Sequence, residues 1–203
     1  MSKVIVFTNL TLDGVMQAPA RPDEDHRGGF EHGGWATPYA TMEAAEKSMA
    51  YSGALLLGRR TYEDFYTVWP NRTDNPFTEV LNNTQKYVAS TTLSEPLPWS
   101  NSTLLKGDAA EAVVRLKEEP GKDLVVLGSG ELVQSLMRRN LVDEYVLLIH
   151  PLVLGSGRRL FPDGGAFAAL RLVDTRTTTT GVVVATYQLA EPTTRKNTDA
   201  AMH

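Results

Sequence analysis

The sequence contains no cysteine. This absence excludes a disulfide framework, a thiol nucleophile and any cysteine-ligated metal site. Histidine is also scarce, and the four that occur do not show metal-ligand spacing on one element: His26, His32, His150 and His203. His26 and His32 are close in sequence, but they lie among glycines and acidic residues in a predicted loop. We therefore predict no metal site.

Long hydrophobic runs and an excess of positive charge are missing as well. No apolar run approaches the roughly 20 residues that a membrane span needs. The apolar stretch near the N-terminus covers only residues 4–7, which is shorter than the core of a signal peptide. A formal net charge of -4 gives no general attraction to nucleic acid or to anionic membranes. These features predict a cytoplasmic protein with a small-molecule substrate.

The chain has 203 residues, of which 42% are hydrophobic and 22% are charged. This composition is typical of an ordinary globular protein, and the length suits one domain. We predict a single domain over residues 1–190. The last residues, 191–203, are polar and non-periodic, which predicts a frayed tail.

Short apolar strands alternate with amphipathic helices along most of the chain. This pattern predicts an α/β fold, with a mainly parallel sheet covered on both faces and a closing antiparallel hairpin. Asp108 is a good N-cap for one helix, with Glu111 three residues later. Strands are predicted at 4–7, 54–57, 86–89, 103–105, 124–127, 145–149, 170–177 and 182–189, and helices at 39–50, 60–66, 109–118 and 130–139, with one or two turns at 76–82.

Two of the predicted strands end in a glycine turn that opens a helix, at residues 55–63 and 124–132. A helix N-terminus offers free N–H groups and partial positive charge, and glycine lets a phosphate approach the backbone. Two such turns in one sheet can hold the two ends of a dinucleotide. Arg59 and Arg60 add positive charge that favours NADPH over NADH. Alternatively, the turns are only tight connections and the arginines are a solvated helix start.

Residues 17–38 are rich in Gly, Pro, Asp and His and show no periodicity, which predicts a long surface loop. Loops of this length are usually functional or disordered, so a lid over a site is one interpretation. Four aromatic residues in and near this loop are candidates for a wall against a flat heterocycle: Phe30, Trp35, Tyr39 and Trp69. Alternatively, Trp35 and Trp69 belong to the core or to a dimer interface. For His150, which follows a strand, a structural hydrogen bond is favoured over catalysis.

Several of these segments resemble known reductases. Residues 57–63 (LGRRTYE) resemble the Met-Gly-Arg-x-Thr-aromatic-Glu signature of dihydrofolate reductases, and residues 127–130 (LGSG) resemble their Ile-Gly-Gly-Gly turn. Residues 11–14 (TLDG) and 141–161 (LVDEYVLLIHPLVLGSGRRLF) resemble the reductase domain of the riboflavin biosynthesis deaminase-reductase family. The resemblance implies the dihydrofolate reductase-like three-layer α/β/α sandwich, NADPH as cofactor and a homodimer.

The resemblance also implies roles for individual residues. Those expected near the adenosine 2'-phosphate, the pyrophosphate and the ribose are Gly58, Arg59, Arg60, Thr61, Ser90 and Thr91. Those expected to cradle the pyrophosphate or border the nicotinamide are Asn9, Met16, Gly128, Ser129, Gly130, Glu131 and Leu132. On the substrate side we expect Glu43, from the resemblance, and Trp35 and Tyr39, from the aromatic wall.

Two departures from these families affect the substrate prediction. The position of the carboxylate that orients the pterin in dihydrofolate reductases falls on Met42, and the adjacent Glu43 is the candidate catalytic residue. An exposed helix glutamate is the alternative. Riboflavin-pathway reductases commonly carry a lysine where this chain has Phe7 or Thr8. We therefore predict an NADPH-dependent reductase of a small pterin- or aminopyrimidine-like substrate. Such an enzyme resembles dihydrofolate reductase and 5-amino-6-(5-phosphoribosylamino)uracil reductase. A non-catalytic NADPH-binding protein and a flavin-binding protein are the alternatives.

Overall fold

The computed structural model describes residues 1–41, 53–75 and 77–190. Two 3-10 turns lie at Arg27–Gly29 and Thr37–Tyr39. The helices are α1 (Arg59–Val68), α2 (Phe77–Asn83), α3 (Ala109–Glu118) and α4 (Gly130–Arg138). The strands are β1 (Val4–Thr11), β2 (Ala54–Gly58), β3 (Lys86–Ala89), β4 (Ser102–Leu105), β5 (Leu124–Leu127), β6 (Glu144–His150), β7 (Leu170–Thr177) and β8 (Val183–Leu189).

The strands form one sheet in the order β4-β3-β2-β5-β1-β6-β8-β7. Six neighbouring strands of this order, β4, β3, β2, β5, β1 and β6, pair in parallel. β8 is antiparallel to both β6 and β7. The predicted mixed sheet with a C-terminal antiparallel hairpin is thus confirmed. Because these six strands run in the same direction, their carboxyl ends all lie at one edge of the sheet.

The central strands β1, β2 and β5 are buried on both faces of the sheet, as expected for near-continuous apolar strands. In β1, Val4 and Val6 pack into the core on one face, which also contains residues of α3 and α4. Ile5 and Phe7 pack on the opposite face, together with Tyr62 of α1. The predicted three-layer α/β/α arrangement is therefore confirmed.

Local polar contacts fix two of the helix ends. At the N-terminus of α3, the Asp108 carboxylate accepts hydrogen bonds from the backbone N–H of Ala110 at 2.8 Å and of Glu111 at 3.0 Å. Near the C-terminus of α2, the fully buried Lys86 Nζ donates to the carbonyls of Leu81 at 2.7 Å and Thr84 at 2.6 Å. Burial lowers the pKa of the Lys86 ammonium to about 8. The pattern places Lys86 in a strand but gives no indication of its burial.

The segment 17–38 is irregular, as predicted, but its aromatic residues are anchored in the protein. Phe30 and Trp35 pack in a buried cluster with Val15. The indole N–H of Trp35 donates to the backbone carbonyl of Gln17 at 2.7 Å. The segment therefore has a core of its own, which agrees with the alternative that Trp35 is a core residue.

The helix predicted from Tyr39 does not begin at that residue. Tyr39 ends a 3-10 turn, and the backbone of Ala40 is extended, with φ -60° and ψ 130°. The remainder of this predicted helix, including Met42 and Glu43, lies outside the described residues, and so does the predicted tail at 191–203. Within the described part of the chain, no helix is both long and apolar enough to span a bilayer.

Candidate functional site

The carboxyl ends of the parallel strands open onto a cleft of about 1460 Å³. Ligands of open parallel sheets bind at this edge. Pockets for drug-sized ligands usually measure about 300–1,000 Å³. The cleft therefore has room for a dinucleotide and a second, smaller molecule.

The two predicted glycine turns lie next to each other in the cleft, because β2 and β5 are neighbours in the sheet. A hydroxyl joins them: Ser129 Oγ accepts from the backbone N–H of Gly58 at 3.0 Å and donates to Thr61 Oγ1 at 3.0 Å. Gly128 and Ser129 both have positive φ angles, 56° and 54°, so the chain turns tightly between β5 and α4. The N-termini of α1 and α4 are thereby held side by side.

The second turn is closely packed. A Cβ atom on Gly130 would lie 2.7 Å from Met16 Sδ, so Met16 packs directly on a backbone that carries no side chain. At Gly58 a Cβ atom would meet its nearest neighbour, Ser129 Oγ, at 3.6 Å. Glycine at position 130 therefore allows the close approach of Met16, whereas a Cβ atom at Gly58 would make only an ordinary contact.

All of the residues predicted to bind the cofactor line this single cleft. They are Asn9, Met16, Gly58, Arg59, Arg60, Thr61, Ser90, Thr91, Gly128, Ser129, Gly130, Glu131 and Leu132. The two adjacent arginines have different partners. Arg59 Nη1 lies 2.9 Å from Glu63 Oε2 on the same helix, and Arg60 Nη1 lies 3.4 Å from Glu131 Oε1 on α4. The lining residues thus fit a nicotinamide dinucleotide, and their role in binding it stays a prediction.

A neutral polar pair lies where β1 and β6 reach the cleft. His150 Nε2 lies 3.0 Å from Asn9 Oδ1, which confirms the expected hydrogen bond of His150. The imidazole is 3% exposed, and the rings of Trp35 and Tyr39 contact it edge-on, with centroids at 5.2 and 5.5 Å. Burial lowers the pKa of His150 to about 4, so the ring is neutral at pH 7. In this pair Nε2–H donates to Oδ1, which leaves the Asn9 amide N–H groups for a ligand.

The predicted aromatic wall is only partly present. Tyr39 and Trp69 line the cleft. Trp35 and Phe30 do not: they are buried at 8% and 4% exposure and pack beneath the surface of the cleft against Val15. The prediction that Trp35 contacts substrate is therefore wrong, because its ring fills the core of the 17–38 segment and supports His150 instead.

Carboxylates that the sequence did not single out also line the cleft, namely Glu24, Asp25 and Asp64. Glu24 Oε2 accepts hydrogen bonds from the backbone N–H of Ala20 at 2.7 Å and of Arg21 at 3.2 Å. Burial raises the pKa of Glu24, and the nearby charge of Asp64 acts in the same direction. The only signal in the sequence for Glu24 and Asp25 was the unusual length of the 17–38 segment, and Asp64 on α1 had none. Across the described residues, no group of three or more His, Asp or Glu side chains forms a metal site.

The two segments that resemble the riboflavin-pathway reductases contact each other. The Asp13 carboxylate accepts hydrogen bonds from the backbone N–H of Leu154 at 3.2 Å and of Gly155 at 2.9 Å. A hydrogen bond from Thr11 lowers the pKa of Asp13. These contacts lead the chain to Arg158 and Arg159, which line the cleft. The acidic and glycine positions of the motifs are thus structural, and the arginines that follow are exposed to a ligand.

The model of the RibD C-terminal domain family matches residues 2–184 of this chain. The chain belongs to the RibD C-terminal domain family. The uncharacterized protein YyaP of Bacillus subtilis (strain 168) is 34% identical to this chain over 138 residues, covering 66% of this chain and 72% of YyaP. YyaP does not establish a substrate for this RibD C-terminal domain.

Solved structures agree with this fold. A protein of Shewanella sp. PV-4 attributed to riboflavin biosynthesis superposes with a TM-score of 0.69 at 21% identity, covering 93% of this chain and 99% of that one. Dihydrofolate reductase of Enterococcus faecalis, complexed with NADP(H), gives a TM-score of 0.57 at 13% identity, covering 93% and 97%. At these identities the likeness shows that this RibD C-terminal domain shares the dihydrofolate reductase-like fold.

Proposed function

We propose that this chain is an NADPH-dependent reductase that transfers hydride to a small pterin- or aminopyrimidine-like substrate. The observation that carries the proposal is the pair of glycine turns joined by Ser129, which places two helix N-termini and Arg59 in one cleft. Membership of a reductase-type family supports it. So does the likeness in fold to a dihydrofolate reductase that was solved with NADP(H).

The cleft residues divide into a binding set and a positioning set. The N-termini of α1 and α4 would hold the pyrophosphate through their backbone N–H groups, with Arg59 beside the adenosine 2'-phosphate. Asn9 and Met16 would border the nicotinamide, and the amide N–H of Asn9 is free to donate to a ring substituent. Bound NADPH supplies the hydride, and the protein supplies position and electrostatics.

Reduction of a C=N or C=O bond needs a proton as well as a hydride. His150 cannot give one as imidazolium at neutral pH, because its pKa is about 4. Glu24 lines the cleft, and burial raises its pKa, so it retains a proton at higher pH than an ordinary glutamate. We therefore assign Glu24 as the proton donor. Glu43, the donor that the family resemblance implied, lies outside the described residues.

The substrate class follows from the groups opposite the glycine turns. Tyr39 and Trp69 offer ring faces and edges on which a flat heterocycle can pack. The carboxylate of Asp64, which is paired with Arg21, and the carboxyl group of Glu24 both line the cleft, and their oxygens have lone pairs that can accept from amino and ring N–H groups. This combination suits an aminopyrimidine or a pterin better than an aliphatic sugar.

Two measurements on the purified protein test the proposal. The first is calorimetric titration with NADPH, with NADH and oxidised flavin as controls. We expect micromolar binding of NADPH and weaker binding of NADH. The second is the loss of NADPH absorbance in the presence of a panel of pterins and aminopyrimidines.

NADPH binding without turnover of any panel member would favour a non-catalytic binding protein. Tight flavin binding with no response to NADPH would favour a flavin protein. The homodimer that the family resemblance implies stays a prediction, which sedimentation of the same sample checks.

A further inference from the structure

The turn that carries Glu24, residues 20–24, is tied to helix α1 through the side chain of Arg21, and we refer to it as the Glu24 turn. Arg21 Nη2 lies 2.5 Å from Asp64 Oδ1, and Nη1 lies 3.4 Å from Asp64 Oδ2. These two side chains are only 32% and 23% exposed. The carboxylate of Asp23 also lies 3.4 Å from Arg21, but it is 79% exposed. Asp64 is therefore the partner that fixes the guanidinium, because exposed ion pairs contribute little.

The backbone of Arg21 also holds the carboxyl group of Glu24. Glu24 Oε2 accepts from the backbone N–H of Ala20 at 2.7 Å and of Arg21 at 3.2 Å. The Glu24 N–H in turn donates to the Arg21 carbonyl at 3.3 Å. Within the part of the chain that the structure describes, the other carboxyl oxygen, Oε1, accepts no hydrogen bond. Glu24 lines the cleft and Arg21 does not, so Arg21 acts on the cleft through other residues.

Helix α1 connects this turn to the side of the cleft that is assigned to the cofactor. The helix begins at Arg59 and also carries Asp64. The rise of an α-helix, about 1.5 Å per residue, places these two residues about 7.5 Å apart along the helix axis. Because Arg21 joins the Glu24 turn to Asp64, the position of Glu24 is set relative to the N-terminus of α1. Such a fixed distance matters for a reaction, since a displacement of about 1 Å can lower a rate about hundredfold.

We propose that Arg21 is a positioning residue, which fixes the carboxyl group of Glu24 at the cleft by joining the Glu24 turn to Asp64 of α1. The inference rests on the proposed function, because it takes Glu24 as the proton donor. Arg21 touches neither the cofactor nor the substrate. Its loss should therefore lower the rate of the reaction without changing the affinity for NADPH.

The charges near Glu24 give Asp64 a second effect. Burial is the largest cause of the raised pKa of Glu24, and the hydrogen bonds from Ala20 and Arg21 oppose it. Of the charged groups, Asp64 on α1 raises the pKa of Glu24, and the Arg21 guanidinium, from the same segment as Glu24, lowers it. Asp64→Asn should therefore lower the pKa of Glu24, while the asparagine oxygen still accepts a hydrogen bond from Arg21.

The first test uses the protein without substrate. The Ala20 N–H donates to Glu24 Oε2, so its chemical shift should follow the protonation of Glu24 in a pH titration by amide NMR spectroscopy. Arg21→Gln should abolish this pH-dependent shift, because the Glu24 turn is no longer held against α1. Asp64→Asn should keep the shift and move its midpoint to lower pH. Thermal unfolding of each variant checks that it is folded, and Arg21→Lys replaces Arg21→Gln if the latter does not fold.

The matched control is Arg176→Gln. Arg176 is an exposed arginine on β7 that also pairs with a carboxylate, Asp174, and it does not line the cleft. This variant loses the same charge far from the Glu24 turn. Its Ala20 amide should titrate as in the wild type.

The second test is steady-state turnover of whichever panel substrate is reduced. We expect Arg21→Gln to lower kcat about tenfold with the dissociation constant of NADPH unchanged, because the proton donor is displaced. Arg21→Lys keeps the charge but loses the two-pronged contact, so kcat should fall only about threefold. A general acid must be protonated, so kcat declines as the pH rises through its pKa. In Asp64→Asn this decline should begin at lower pH.

The positioning role and the proposed function fail in different ways. If the Ala20 amide does not titrate, or titrates identically in Arg21→Gln and the wild type, the positioning role is overturned even where the protein is a reductase. It is also overturned if Arg21→Gln retains the kcat of the wild type, or loses NADPH affinity as much as it loses kcat. If the amide titrations are as expected and no panel substrate is reduced, Arg21 positions Glu24 and the proposed function is wrong.

Discussion

The two sides of the cleft are built in different ways. The side at β2 and β5 consists of regular strand-glycine-helix turns, in which Gly58 and residues 128–130 are placed by the sheet itself. The opposite side consists of the irregular segments 17–38 and 151–160, which are held by side-chain contacts to each other and to Asp13. A site on the first side depends on local backbone geometry. A site on the second side depends on contacts between residues that are far apart in sequence.

A substitution at Gly157 tests how much the stability of the irregular side of the cleft depends on close packing. Its φ is +115°, and a Cβ atom there would lie 2.7 Å from Val15 Cγ1 and 2.8 Å from Phe30 Cε2, both in buried side chains. Backbone strain and overpacking together predict that Gly157→Ala lowers the free energy of unfolding by about 4 kcal/mol. Urea unfolding measures it.

The matched control is Gly155→Ala, two residues earlier. Gly155 also has a positive φ, +74°, but a Cβ atom there would meet nothing within 4 Å. Strain alone should then cost about 1 kcal/mol. Equal losses in the two variants would mean that this side of the cleft is not held by the packing of Gly157.

His150 is buried beside the cleft, and its lowered pKa predicts that the free energy of unfolding depends on pH. Its pKa is 6.5 in the unfolded chain and about 4 in the folded protein, because burial disfavours the imidazolium. The unfolded state therefore takes up a proton first as the pH falls. This contribution to stability is fully present above pH 6.5 and is lost as the pH falls towards 4, up to about 3 kcal/mol.

The comparison variant is His150→Gln, which can still donate to Asn9 but does not titrate. Unfolding free energies of the wild type and the variant are measured from pH 7 to pH 4. The carboxylates titrate in both proteins, so the difference between the two curves isolates the histidine. Parallel curves across this range would show that His150 is not buried as a neutral ring.

The contrast between the two sides also explains what could be predicted from the sequence. The strand order was not specified, but the parallel sheet, the closing hairpin and the glycine turns were, since each follows from a pattern within about ten neighbouring residues. Glu24 and Arg158 were not found, because their surroundings form only in the fold. Asp64 comes close to Glu24 there, and Gln17 accepts a hydrogen bond from the backbone N–H of Arg158. Trp35 was predicted to line the cleft because it lies in a segment with the composition of a surface loop. Its burial could not be predicted, because Trp35 packs against Val15 only in the fold.

Glu24 lies on the irregular side, and its proposed role predicts a large effect on the rate. Glu24→Gln keeps the shape of the side chain and removes the transferable proton. We expect kcat to fall about hundredfold with the dissociation constant of NADPH unchanged, as general-acid catalysis implies. Steady-state turnover of whichever panel substrate is reduced gives kcat, and calorimetry gives the affinity.

The control for Glu24→Gln is Asp23→Asn, a substitution of the adjacent residue. The Asp23 side chain is 79% exposed and does not line the cleft, although it too pairs with Arg21. Its loss should leave kcat within about twofold, since exposed ion pairs contribute little. An unchanged kcat in Glu24→Gln would remove Glu24 from the reaction, and Asp25, Asp64 and Glu43 would then be the candidates for the proton donor.

The smallest expected effect belongs to Arg59 on the regular side of the cleft. Arg59→Ala should weaken NADPH binding about tenfold and leave NADH binding unchanged, because only NADPH has the 2'-phosphate that a guanidinium recognises through charge-assisted hydrogen bonds. The effect is limited because Arg59 is already paired with Glu63 at 2.9 Å and must exchange that partner for the phosphate. Titration of both nucleotides, with Arg176→Ala as the control, measures it. If both nucleotides weaken equally, Arg59 contacts the pyrophosphate instead. If the affinity for neither nucleotide changes, Arg59 does not select NADPH over NADH, and the regular side of the cleft does not select the cofactor through this residue.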